Sequence, residues 1–131
     1  MHFYIEDAEP IWECKTKFDF IHGRMMVGSF KDYSAFFKRC FDNIKPGGYL
    51  EMQDLGDPFA CDDGTLAPTS ALQRYLDFVL KACEKMGRPA TTTSSYKGLM
   101  EQAGFVDVVE VVHKLPTNTW PKDPEYKEIG A

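Results

Sequence analysis

Two stretches, Phe18-Asp19-Phe20-Ile21-His22-Gly23-Arg24 and Lys45-Pro46-Gly47-Gly48-Tyr49-Leu50-Glu51-Met52-Gln53-Asp54, decide how this chain is read. Each holds a short run of apolar residues ending in polar ones, the pattern of a strand that leaves a core and stops at a surface. Between them, Phe36, Phe37, Cys40, Phe41 and Ile44 recur at steps of three and four, which puts one apolar stripe on a helix spanning Asp32 to Ile44. Asp32 or Ser29 suits its N-cap. Pro46 cannot continue a helix and Gly47-Gly48 accept positive φ, so the helix is expected to stop there and a strand to run from Tyr49 to Gln53.

The pattern repeats outward. Phe3-Tyr4-Ile5 reads as an earlier strand running into the polar turn Glu6-Asp7-Ala8-Glu9-Pro10. After a loop of Asp, Gly and Pro from Asp54 to Pro68, a helix from Ser70 to Met86 gathers Leu72, Tyr75, Leu76, Val79, Leu80, Cys83 and Met86 on one face. A shorter helix capped by Ser94 or Ser95 runs through Ala103 to Gly104, and the valine-rich run Phe105 to Leu115 reads as a further strand. The tail from Pro116 to Ala131 is expected to be ordered by docking. Strands alternating with helices imply an α/β fold with a mostly parallel sheet. In such sheets ligands lie beyond the carboxyl ends of the strands, which selects Asp7-Ala8, His22-Gly23-Arg24 and Gln53-Asp54.

Composition narrows the alternatives. With 131 residues, 44% hydrophobic and 27% charged, the chain is one domain with enough apolar material for a core. Its net charge is −5 and no Lys/Arg run exceeds two neighbours, so no nucleic-acid footprint is expected. Cys14, Cys40, Cys61 and Cys83 form no CxxC pair, and His2, His22 and His113 stand apart from them, so no metal site is expected. Cys40 and Cys83 fall on apolar helix faces, where free thiols act as small hydrophobes. With no membrane-length apolar run and no signal peptide, a cytoplasmic or nuclear protein away from membranes is expected.

Read together, Ile5-Glu6-Asp7-Ala8-Glu9, the Phe18–Arg24 stretch and the Lys45–Asp54 stretch resemble consecutive motifs of class I S-adenosylmethionine-dependent methyltransferases. The FDFIHGR strand and the KLPTNTWPKDPEYKEIG tail are closest to the fungal LaeA-like group, and the resemblance covers nearly the whole chain. It implies a partial Rossmann-like fold that begins at the family's third strand. The first two strands, the glycine-rich cofactor loop and the last strand would then lie outside the 131-residue domain, since no GxG occurs. The open sheet edge is expected to be covered by dimerisation, strand exchange or a complementary chain.

The resemblance also assigns roles. Asp7 and Ala8 would meet the adenine of S-adenosylmethionine, and Arg24 the carboxylate of the cofactor. His22 would border the cofactor and serve as general base, while Gln53 and Asp54 would face the acceptor, with Asp54 a second catalytic candidate. The implied activity is methyl transfer to a small-molecule or protein acceptor in secondary metabolism. The alternative is a chain without methyl transfer, acting as a cyclase or isomerase of natural-product assembly, or as a binding or scaffold protein.

Overall fold

Helix α1, Tyr33–Asn43, forms where the apolar stripe predicts it. The Asp32 side chain accepts from the Ala35 amide and caps the first turn, as its position predicts. The stripe then buries Tyr33, Phe36, Phe37 and Cys40, and the Phe37 and Cys40 side chains are completely shielded from solvent. The computed structural model describes residues 7–12, 15–56, 61, 64–90 and 93–131; the expected strand at Phe3-Tyr4-Ile5 lies outside the described residues.

The stripe packs against three partners. Phe30 stacks on Phe36 with ring centroids 4.0 Å apart, Tyr96 meets Phe37 edge-on at 5.2 Å, and Trp12 meets Phe36 at 6.1 Å. Such offset and edge-to-face pairs match the ring quadrupoles and add to the gain from burial. Tyr96 and Met100 come from α3, Tyr96–Ala103, which ends on Gly104 at φ +116°. A side chain there would strike the Phe41 ring, so the glycine is needed both for its conformation and for space. The helix is entered through a 3-10 turn, Thr93–Ser95, with no side-chain cap from Ser95, which differs from the expected serine cap.

The sheet consists of β1, Phe18–Arg24, and β2, Ile44–Gln53, paired in parallel with α1 as the crossover between them. β2 begins earlier than expected. Ile44 already pairs with Phe18, and the ladder then resumes at Phe20 opposite Tyr49. Two steps along β1 thus correspond to five along β2, so Lys45-Pro46-Gly47-Gly48 form a bulge inside the strand rather than a loop before it. Gly47 takes φ +80°, and a side chain on Gly48 would meet the Asp19 carbonyl oxygen at 2.7 Å. Lys45 Nζ bonds both Asp19 carboxylate oxygens, at 2.8 and 2.9 Å, across the bulge. Alternation gives the sheet two faces. Ile21, Leu50 and Met52 pack on the aromatic cluster, while Phe20, His22, Tyr49 and Glu51 are exposed on the other side.

One expectation needs correction. The run 105–115 is not a strand: it has no ladder partner among the described residues, and Val106, Val109, Val111, Val112 and Leu115 are 58–83% exposed. Valine content favours a pleated, half-buried surface but cannot supply the neighbouring backbone that a ladder requires. Only Phe105, edge-on to Phe41, and Val108 reach the packed interior. Helix α2, Ala71–Lys85, forms with Ser70 accepting from the Gln73 amide as its cap, yet of its apolar face only Leu76 is buried. Tyr75 and Phe78 are 63% and 72% exposed. The tail carries a short helix α4, Pro124–Ile129, capped by Asp123. No helix among the described residues is long and apolar enough to cross a membrane.

Two outcomes follow from this core. Truncating Phe37→Ala should lower unfolding free energy by about 3–5 kcal/mol in a denaturant titration, because a fully enclosed ring leaves a cavity. Burial pushes the Cys40 thiol up to about 12. At about pH 8 it should therefore resist a thiol-specific reagent that labels the partly exposed Cys61 and Cys83, and react only on unfolding.

Candidate functional site

Parallel pairing brings the carboxyl ends of β1 and β2 side by side, and their outward residues form a polar row. His22 stands opposite Glu51 and Arg24 opposite Gln53 in the ladder. The His22 imidazole Nδ1 lies 3.0 Å from Glu51 Oε2, and Gln53 Nε2 donates to Glu51 Oε1 at 2.9 Å. Phe20, two residues before His22, stacks against the imidazole with centroids 6.1 Å apart. Glu51 is held below its ordinary carboxylate value of 4.5, first by the Gln53 hydrogen bond and then by that from His22. In the tautomer that donates from Nδ1, the ring presents Nε2 with its lone pair, the arrangement of a base oriented by a carboxylate.

Glu51 was not singled out from the sequence. The signal for it is the alternation Tyr49, Glu51, Gln53 against Phe20, His22, Arg24, which becomes readable only once the bulge is located.

Asp54 turns the other way. Its Oδ1 accepts from the Met26 amide at 2.5 Å and the Val27 amide at 3.1 Å, and its Oδ2 accepts from the Tyr96 hydroxyl at 3.0 Å. The Tyr96 hydroxyl is pushed far above its ordinary value, mainly by burial, and so remains a neutral donor. Both oxygens of Asp54 are thus engaged within the chain, whereas Gln53 beside it is exposed.

Asp7 and Ala8 occupy a tight turn. Asp7 Oδ1 accepts from the Glu9 amide at 2.9 Å, and the Ala8 carbonyl accepts from the Trp12 indole at 3.1 Å. No hydrogen bond or ion pair among the described residues joins Asp7 to His22 or Arg24. The turn is anchored elsewhere, by Glu9. Its Oε1 accepts from the Lys31 amide at 2.7 Å, its Oε2 faces Arg88 Nη2 at 3.0 Å, and Arg88 also donates to the Ser29 carbonyl. The Lys31 amide foremost, with Arg88, holds the Glu9 carboxyl below its ordinary 4.5 against an opposing contribution from burial. This node fastens the Asp7-Ala8 turn to the loop before α1 and to the segment after α2.

A groove of about 410 Å³ is lined by Asp77, Leu80, Lys81, Glu84, Pro89 and Ala90 along α2 and contains none of the strand-end residues. The convergent polar groups lie instead at the ends of the parallel pair, where ligands of such sheets are ordinarily found.

Comparison with known proteins agrees with this geometry. A methyltransferase domain family matches residues 1–111, which include both strands, the crossover helix and every strand-end residue named above, and the chain belongs to that family. Similar curated proteins include methyltransferase pytC of Aspergillus terreus, 37% identical over the whole of this chain and 40% of its own length. They also include the probable methyltransferase tdiE of Emericella nidulans, 38% identical over 95% of this chain and 39% of its own length. The secondary metabolism regulator LAE1 of Cochliobolus heterostrophus is 34% identical over 95% of this chain and 41% of its own length. Within the class I methyltransferases, the chain thus falls in the fungal LaeA-like group. It spans about two fifths of the length of these relatives. No solved structure matches it.

The two depressed carboxylates set an acid limit. Both lie below the value they would have unfolded, so the stability they contribute is present above 4.5 and is lost as pH falls from there through their lower native values. Thermal melts followed from pH 6 to pH 3 should show the wild-type midpoint falling more steeply below 4.5 than that of the double variant Glu9→Gln, Glu51→Gln. Parallel profiles would remove both groups from the account.

Proposed function

We propose that this chain forms part of an S-adenosylmethionine-dependent methyltransferase of secondary metabolism, acting on a small-molecule or protein acceptor. What supports this reading is the methyltransferase match across residues 1–111 together with the polar row at the strand ends. The donor set suits the two polar extremes of the cofactor. Arg24 is an exposed guanidinium, matched to a carboxylate, and Asp7 is an exposed carboxylate, matched to an exocyclic amine. Ala8, small and packed on the core, leaves room for a flat ring beside it. These residues would make one wall of such a site.

When bound, the cofactor supplies an electrophilic methyl group on a sulfonium. The chain's own part is to bind, orient and move a proton. Gln53 offers an amide to the acceptor, and His22 Nε2 takes the acceptor proton, with Glu51 holding the ring in the productive tautomer. Methyl transfer otherwise depends on alignment, so the rigidity of the strand ends matters as much as any one group.

The remaining surfaces bear on assembly. Parallel sheets are ordinarily covered on both faces, yet here Phe20 and Tyr49, at the start of the outward face and before the polar row, are apolar and exposed. We read that end of the face, and the open edge beside it, as the place where a second copy or a complementary chain completes the domain.

Isothermal titration with S-adenosylhomocysteine tests the reading. Micromolar binding by the folded chain is expected, and replacing His22→Ala should cut kcat by roughly 10²–10⁴-fold in a methyl-transfer assay. A chain that is folded by circular dichroism and binds neither S-adenosylmethionine nor its demethylated product overturns the proposal.

A further inference from the structure

The residue immediately after β2, Asp54, is hydrogen-bonded to the turn that follows β1. Three consecutive amides after Arg24 all point toward the end of β2: Met25 N donates to the Gln53 carbonyl at 3.0 Å, and Met26 N and Val27 N both donate to Asp54 Oδ1. The Met26 carbonyl is held from the opposite side by the Tyr33 hydroxyl at 2.7 Å. Asp54 Oδ2 is fixed in turn by the Tyr96 hydroxyl of α3. Four elements, β1, β2, α1 and α3, therefore meet in one cluster around the Met26 peptide.

The cluster holds an unfavourable backbone. Met25 has φ +55°, a left-handed conformation that a residue with a long side chain adopts only when its surroundings impose it. A carboxylate receiving two backbone N–H groups supplies charge-assisted bonds of the required strength. Remove it and Met25 is free to return to negative φ, which turns the chain at the residue immediately after Arg24. Arg24 itself is the last ladder residue of β1, opposite Gln53, and its side chain is exposed. The Gln53 carbonyl holds the peptide between Arg24 and Met25, and Asp54 holds the two that follow, so the turn that closes behind Arg24 is set by these three bonds together.

We propose that Asp54 is a positioning residue: through the Met26 and Val27 amides it fixes the exit of β1, so that Arg24 is aimed at the carboxylate of the cofactor's amino-acid tail. Asp54 touches neither cofactor nor acceptor in this assignment. The proposal rests on the methyltransferase reading, and its test separates the two.

The measurement compares two ligands on the full chain: S-adenosylhomocysteine, which carries the amino-acid carboxylate, and 5′-methylthioadenosine, which lacks it. Asp54→Ala should weaken S-adenosylhomocysteine about 10-fold or more while leaving methylthioadenosine within about twofold, the scale on which supporting groups act on a binding residue. Asp54→Asn keeps an oxygen for both amides and should restore S-adenosylhomocysteine affinity to within about threefold of wild type. Amide exchange at Met26 and Val27 should quicken in the alanine variant and stay slow in the asparagine one.

Equal losses for both ligands, or no loss for either, overturn the positioning role. Should the alanine variant not fold, Tyr96→Phe removes the support on Oδ2 alone, and the same ligand-selective weakening is expected at smaller size. If wild type binds neither ligand, the methyltransferase reading falls. Exchange at Met26 and Val27 then decides for Asp54 by itself, with unchanged protection in the variants counting against the clasp.

Discussion

The aromatic stripe of α1 must be dry on one side, and the rest of the structure follows from how that is met. A helix with Tyr33, Phe36, Phe37 and Cys40 along one face has nothing to gain from forming alone in water. It becomes stable when the stripe is covered by the inward face of a two-stranded sheet, by Tyr96 and Met100 of α3, and by Phe30 and Trp12 from the flanking loops. Burying one such ring contributes about 1.5–3 kcal/mol, which sets the packing side of the sheet more firmly than any hydrogen bond at its ends. Once Ile21, Leu50 and Met52 are committed to that side, alternation leaves His22, Glu51 and Gln53 no choice but the other.

Polar and apolar residues are thereby divided between the two faces of the same strands. The outward row joins His22 to Glu51 and Glu51 to Gln53, in partial contact with water. The inward partner Asp54, one residue further along, reaches into the core side and is saturated by the Met26 and Val27 amides and the Tyr96 hydroxyl. Neighbouring residues thus face opposite ways: Gln53 is exposed to the outside, and Asp54 is bonded within the chain. The Glu9–Arg88 node does for the Asp7-Ala8 turn what Asp54 does for the exit of β1.

Much of this was legible before any coordinates, and the boundary of legibility has physical causes. The α1 stripe, its Asp32 cap and the Gly104 stop depend on residues within a turn or two of one another, so local pattern suffices. The parallel α/β arrangement followed from the alternation of strand and helix, and the family from the strand-end motifs. The run 105–115 failed because β-propensity describes a surface that fits a sheet and does not create the adjoining strand. Glu51 was hidden because its facing residue depends on the number of residues taken up at Lys45-Pro46-Gly47-Gly48, which hydrophobicity does not reveal. Asp54 read as a strand-end acidic group facing a ligand; its inward turn depends on Tyr96, which is distant in sequence. Arg88 and Glu9, 79 positions apart, illustrate the same limit.

The bulge at Lys45-Pro46-Gly47-Gly48 has a consequence for how such a site tolerates change. It works as an expansion joint. A residue gained or lost within Lys45-Pro46-Gly47 can be absorbed in that slack, because the ladder is re-established only beyond it, from Phe20 and Tyr49 onward. The joint itself has no slack at one point: with the Asp19 carbonyl so near, even one methyl group on Gly48 would wedge the strands apart and carry the misalignment up to the imidazole. Variation should accordingly be broad around the hinge and narrow at its pin.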